Sequence, residues 1–147
     1  MAEPLTEAEV KEFVTDWYLK LDVHAPADEI MPMVAEADEG LEMKFPEATV
    51  RTPDEFKGML DTWYHRFFDE VHTMKELDIS TGDDKADVKL CVNWQAKIWD
   101  PPDPKSKWLG FDAYQTWVVK RSQASGKPVI ATYIVDDLDP MPGSTIL

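Results

Sequence analysis

Residues 53–72 read PDEFKGMLDTWYHRFFDEVH, and one helical stripe runs through them: Phe56, Met59, Leu60, Trp63, Tyr64, Phe67, Phe68 and Val71. Apolar positions at i, i+3, i+4, i+7, i+8, i+11, i+12 and i+15 mark the seam of a helix pressed on a large apolar surface. Thr52 is a suitable cap and Pro53 a suitable first residue, so the spacing predicts a helix from Pro53 to Val71, with strand beginning at His72.

Upstream, Thr6 followed by Glu9 is a capping-box pair, in which the hydroxyl takes an orphan N–H and the glutamate reaches back. The helix it starts carries Val10, Phe13, Val14, Trp17, Tyr18 and Leu21 and should end near Asp22. Pro26 opens a second, shorter helix that Pro32 should kink, and Gly40 is a plausible stop. Leu41 to Phe45 alternates as a half-buried strand, with Thr49 to Arg51 as a short partner. Downstream of His72 come long strands: His72 to Ser80; Ala86 to Trp99, with Val88, Leu90, Val92, Trp94, Ala96 and Ile98 on one face; Leu109 to Arg121; and Val129 to Leu138. Short connections make them antiparallel neighbours. The expected class is α+β, helices covering one face of a curved sheet, in a single domain spanning 1–147 with a core of about 5–138 and a tail at 139–147 docked through Ile146 and Leu147.

Composition bounds the function. The chain has 147 residues, with 29 acidic against 15 basic side chains and a net charge of −14, which repels phosphate backbones and anionic membrane surfaces. Nucleic acid and membrane are therefore excluded as expected partners. The N-terminal sequence has neither a basic nor an apolar leader region, and a cytoplasmic location is expected. Cys91 is the single cysteine and reads as a small strand residue rather than a nucleophile. No His-x-x-x-His, Cys-x-x-Cys or glycine-rich phosphate loop occurs, so neither a metal nor a cofactor is expected.

The order helix, helix, strand, strand, helix, then four antiparallel strands resembles the nuclear transport factor 2-like superfamily, in its SnoaL-like branch. The resemblance rests on Trp63 through His72, on Leu77 and Ile79 after Glu76, on Tyr114 to Trp117, and on Ile130, Thr132, Ile134 and Asp136. It implies a cone-shaped α+β fold, three N-terminal helices packed on a strongly curved, mainly antiparallel sheet, with a deep apolar pocket for a small apolar molecule. It also implies a homodimer through the outer sheet face carrying Cys91, Asn93, Gln95, Tyr114 and Val118.

Within that resemblance, Phe45 and Trp117 stand where steroid-isomerase relatives keep carboxylates, and Arg51, Arg66 and Arg121 lack the aspartate two residues away that epoxide-hydrolase relatives use. Dehydratase-like relatives use a histidine with an aspartate and tyrosines, for which this chain offers His72, Asp136 and Tyr18. Imidazole, with an unperturbed pKa of about 6.5, can act as a base near neutral pH; a lone histidine at such a junction can equally be structural. His24 and His65 are expected in solvent. Trp63, Trp94 and Trp117 lie on inward faces, where an aromatic fills core or lines a cavity. Phe45, Trp94, Gln115 and Thr132 are the preferred lining positions, and Gln115 stands out as a buried amide among Phe111, Ala113 and Trp117. Two functions follow: a pocket protein, with dehydratase, cyclase or isomerase chemistry open to it, or a non-catalytic protein-interaction module using the pocket rim or the sheet face.

Overall fold

The computed structural model describes residues 4–146. Helix α1, Glu7–Asp22, starts where Thr6 Oγ1 accepts the Glu9 N–H at 3.1 Å, and buries the whole stripe from Val10 to Leu21. The Glu9 carboxylate reaches back to the Thr6 backbone and also takes both arms of the Arg121 guanidinium, at 2.6 and 2.9 Å. Helix α2, Ala27–Ile30, passes straight into a 3-10 turn, Met31–Met33, because Pro32 has no N–H with which to continue an α-helix. Gly40 ends the following 3-10 turn at φ +87°, a left-handed position that suits glycine. Strands β1, Glu42–Lys44, and β2, Thr49–Val50, form a short hairpin.

Helix α3, Pro53–Arg66, is shorter than its apolar stripe predicts, since Phe67 already belongs to β3, Phe67–Thr81. The reason lies in its partner. Strand β4, Lys85–Ile98, pairs with β3 along its full length, from Ala86 opposite Thr81 to Ile98 opposite Phe67. A helix continued to Val71 would leave that end of β4 unpaired. Phe68 and Val71, given to the buried seam by helical spacing, are accordingly 39% and 54% exposed. A register shift between Phe68 and Val71, with Asp69 at φ +52°, turns Glu70 and His72 to the inner side.

Strands β5, Lys107–Arg121, and β6, Pro128–Pro140, complete a six-stranded sheet of order β2-β1-β6-β5-β4-β3, antiparallel except for β1 against β6. Its inner face is buried on β4 from Val88 to Ile98 and on β5 at Leu109, Phe111, Ala113, Gln115, Trp117 and Val119. The helices cover this face, and the sheet curves round them. On β6 the alternation fails twice, at register shifts opposite Val118/Val119 and Tyr114/Gln115, so that Ala131 and Asp136 are extra residues. Ile130, Tyr133, Val135 and Leu138 therefore pack inward. Thr132, paired with Val118, and Asp136 fall on the outer side, contrary to the expectation from strict alternation.

The tail follows β5 beyond the end of β6. Met141 N–H donates to Gly110 O at 2.9 Å, Thr145 N–H to Trp108 O at 3.1 Å, and Gly110 N–H to Ser144 Oγ at 2.9 Å. Ile146, the predicted anchor, is 72% exposed, and Leu147 lies outside the described residues. Among the described residues no helix is long and apolar enough to cross a membrane.

Candidate active site

A cavity of about 80 Å³ opens between the inner sheet face, α3 and the β1–β2 turn, lined by Phe45, Trp63, Phe67, His72, Val92, Trp94, Ala113, Gln115, Tyr133 and Leu138, among others. A single water needs about 10–15 Å³ on this measure, so the space holds several waters or one small ring. Glu47 is among its lining residues, and among the described residues no lysine or arginine lines it.

His72 enters this cavity from β3. Its Nδ1 lies 2.5 Å from Asp22 Oδ1, and its backbone N–H donates to Asp22 Oδ2 at 3.1 Å. One carboxylate thus fixes the ring against its own backbone. An ionised carboxylate only accepts, so Nδ1 carries the proton, and in the neutral imidazole Nε2 presents its lone pair. The imidazole is held between Tyr18, with ring centroids 4.8 Å apart and planes 30° apart, and Trp94, at 6.3 Å and 15°. Its side chain is 4% exposed and that of Asp22 is 18%.

Gln115, on β5, supplies the polar floor. Its Oε1 accepts the Tyr18 hydroxyl at 2.9 Å and the Trp117 indole N–H at 2.8 Å. Both acceptor sites of the oxygen are occupied, which leaves the amide NH₂ as the donor. Tyr133 adds a phenol from β6. Burial pushes Tyr133 up to about 12 and Tyr18 well above the ordinary phenol value, so both remain neutral hydrogen-bonding groups.

The predicted residues divide accordingly. Phe45, Trp63, Trp94, Gln115 and His72 line the cavity, and Tyr18 touches both His72 and Gln115. Trp117 is wholly buried against Trp17, Tyr18 and Tyr133 and belongs to the core. Asp136 is exposed and accepts the Thr116 hydroxyl at 2.6 Å; the carboxylate on His72 is Asp22 instead. The two extra residues of β6 moved Asp136 and Thr132 to the other side and brought in Tyr133. A signal for Asp22 was present: an acid on the last residue of a helix opposes the helix dipole, and so calls for another partner. His65 is exposed as expected, whereas His24 pairs with the buried Glu70. Burial raises the Cys91 thiol, which fits an inert side chain. Among the described residues no three of His, Cys, Asp or Glu converge as a metal site.

No known family's sequence profile matches the chain, and no curated protein matches it. Solved structures do. The LinA-type3 hexachlorocyclohexane dehydrochlorinase of Novosphingobium barchaimii superposes with a TM-score of 0.72 at 13% identity, covering 95% of this chain and 92% of that one. A candidate scytalone dehydratase of Novosphingobium aromaticivorans gives 0.68 at 14%, over 95% and 88%. A candidate dehydratase of the nuclear transport factor 2-like family from Streptomyces avermitilis gives 0.74 at 12%, over 92% and 95%. At these identities the likeness is one of architecture, and the architecture of this chain is the α+β cone of the nuclear transport factor 2-like superfamily.

Proposed function

We propose that the cavity is the active site of a cofactor-independent lyase that removes H and a leaving group from adjacent carbons of a small, uncharged, largely apolar molecule. The observation that carries this reading is the His72–Asp22 pair, with its free imidazole nitrogen on an apolar cavity floored by Gln115. His72 Nε2 takes the proton from carbon as the C–X bond breaks and the double bond forms. Asp22 stabilises the resulting imidazolium and keeps its tautomer. A halide leaves as the anion in that one step; for a hydroxyl the proton is taken first, and the C–O bond breaks as the imidazolium hands it over, so that water leaves. The Gln115 NH₂ and the Tyr133 phenol are the donors for the departing group. Among the described residues no lysine or arginine lines the cavity to pair an anion, and its apolar walls disfavour any unpaired charge, which supports an uncharged substrate. The dehydrochlorinase and the candidate dehydratases of the same architecture support an elimination over an isomerisation. The homodimer belongs to the same reading and is tested by light scattering.

The experiment is an elimination assay with β-hydroxyketones, followed by enone absorbance, and with chlorocyclohexanes, followed by chloride release. His72→Ala and Asp22→Asn should each lower kcat by roughly 10²–10⁴-fold with KM nearly unchanged, since they remove a transition-state interaction. Wild-type turnover no faster than that of His72→Ala would sink the reading and leave the binding or interaction module.

A further inference from the structure

Behind the cavity wall lies a second histidine–carboxylate pair for which elimination has no use. The Glu70 side chain is fully buried. Its Oε1 accepts the indole N–H of Trp63 at 2.7 Å and that of Trp94 at 3.1 Å, while Oε2 meets His24 Nε2. His24 is stacked on Tyr64, with ring centroids 4.2 Å apart, and its side chain is 26% exposed. His24 at φ +50° and Asp69 at φ +52° both take left-handed backbone, so the α1–α2 turn and the start of β3 are bent where they present the pair.

A buried carboxylate is costly unless its oxygens are hydrogen-bonded, and three donors from three elements satisfy this one. The arrangement also decides what the cavity sees. Trp63 and Trp94 line the cavity as neighbouring rings 5.4 Å apart, and Glu70 does not line it. A buried indole N–H turns toward its acceptor. With both turned to Glu70, the wall offers indole carbon and no donor, while the polar groups sit across the cavity on Gln115 and Tyr133.

We propose that Glu70, held by His24, is a specificity-determining positioning residue: it draws the N–H edges of Trp63 and Trp94 out of the cavity, so the site prefers molecules that are apolar on that side. This inference rests on the cavity being the ligand site. An acceptor or hydroxyl pressed on that wall loses its water without replacement. Such a pocket discriminates against an added hydroxyl by up to about a hundredfold.

The test uses the full chain and two probes, fluorobenzene and 4-fluorophenol, with binding followed by ¹⁹F NMR, alongside ¹H–¹⁵N spectra of the indole groups. In the wild type the Trp63 and Trp94 indole protons should exchange slowly with solvent. Glu70→Leu should speed that exchange and narrow the preference for fluorobenzene at least tenfold. Glu70→Gln keeps an acceptor oxygen for both indoles and should stay within threefold of the wild type. A folded Glu70→Leu with unchanged exchange and unchanged preference overturns the proposal. If Glu70→Leu does not fold, fast indole exchange in the wild type, or a preference lost in Glu70→Gln, overturns it alone. Wild-type failure to bind fluorobenzene overturns it together with the pocket reading, whereas binding without elimination overturns only the catalytic step.

Discussion

Gln115 shows how much one buried side chain settles. It is 6% exposed, and its oxygen is the acceptor for two donors, the Tyr18 hydroxyl from α1 and the Trp117 indole from its own strand. Gln115→Leu should remove the acceptor that both share. At about 1–3 kcal/mol for each orphaned donor, the variant should lose roughly 2–5 kcal/mol in urea unfolding, and a loss below about 1 kcal/mol would show that these bonds contribute little. This residue was legible in the sequence because β5 alternates without an inserted residue, so an amide among Phe111, Ala113 and Trp117 had to point inward. Its counterpart was not. His72 could be named from its junction, but its carboxylate comes from Asp22 at the end of α1, fifty positions earlier, brought there by packing that no local period encodes.

Elements were legible where one pairing rule held throughout and illegible where tertiary pairing overrode it. The long period-two run of β4 and the stripe of α1 appear as read. The end of α3 does not, because Phe67 and Phe68 fit a helical seam and a strand equally well and the length of β4 decided for the strand. The bulges of β6 leave no mark in its sequence. Glu9 shows what a local motif leaves out: it completes the capping box at Thr6 and, unannounced by that motif, also fastens α1 to the end of β5 through Arg121. The Arg121 guanidinium holds the Glu9 carboxyl below its ordinary value of 4.5. A carboxyl lowered in the folded state stabilises the fold above its unfolded-state pKa and loses that contribution as pH falls through the folded value. Glu9 is 33% exposed, so screening limits the effect to roughly 0.5–1 kcal/mol. Glu9→Gln should therefore melt slightly lower than the wild type at about pH 7, with the gap closing below about pH 4. A gap independent of pH would mean that the pair acts through packing rather than charge.

The cavity is a property of the whole molecule, since α3, the β1–β2 turn and four long strands each give it a wall. The room in it comes from small side chains: β4 and β5 place Val92 and Ala113 side by side among the larger aromatic lining residues. Leaving such a space unfilled forgoes dispersion and burial, a stability deficit tolerated at functional sites. Ala113→Val tests this directly. Filling the space, two added carbons at about 0.8 kcal/mol each should raise stability by up to roughly 1.5 kcal/mol, or several degrees in Tm. The same variant should weaken fluorobenzene binding and elimination at least tenfold, because the added volume occupies the ligand's place. A core already packed to its normal density gives the opposite result, overpacking that lowers stability by about 1–3 kcal/mol. Tm and binding must therefore move in opposite directions for the cone to be a binding site that the fold holds open.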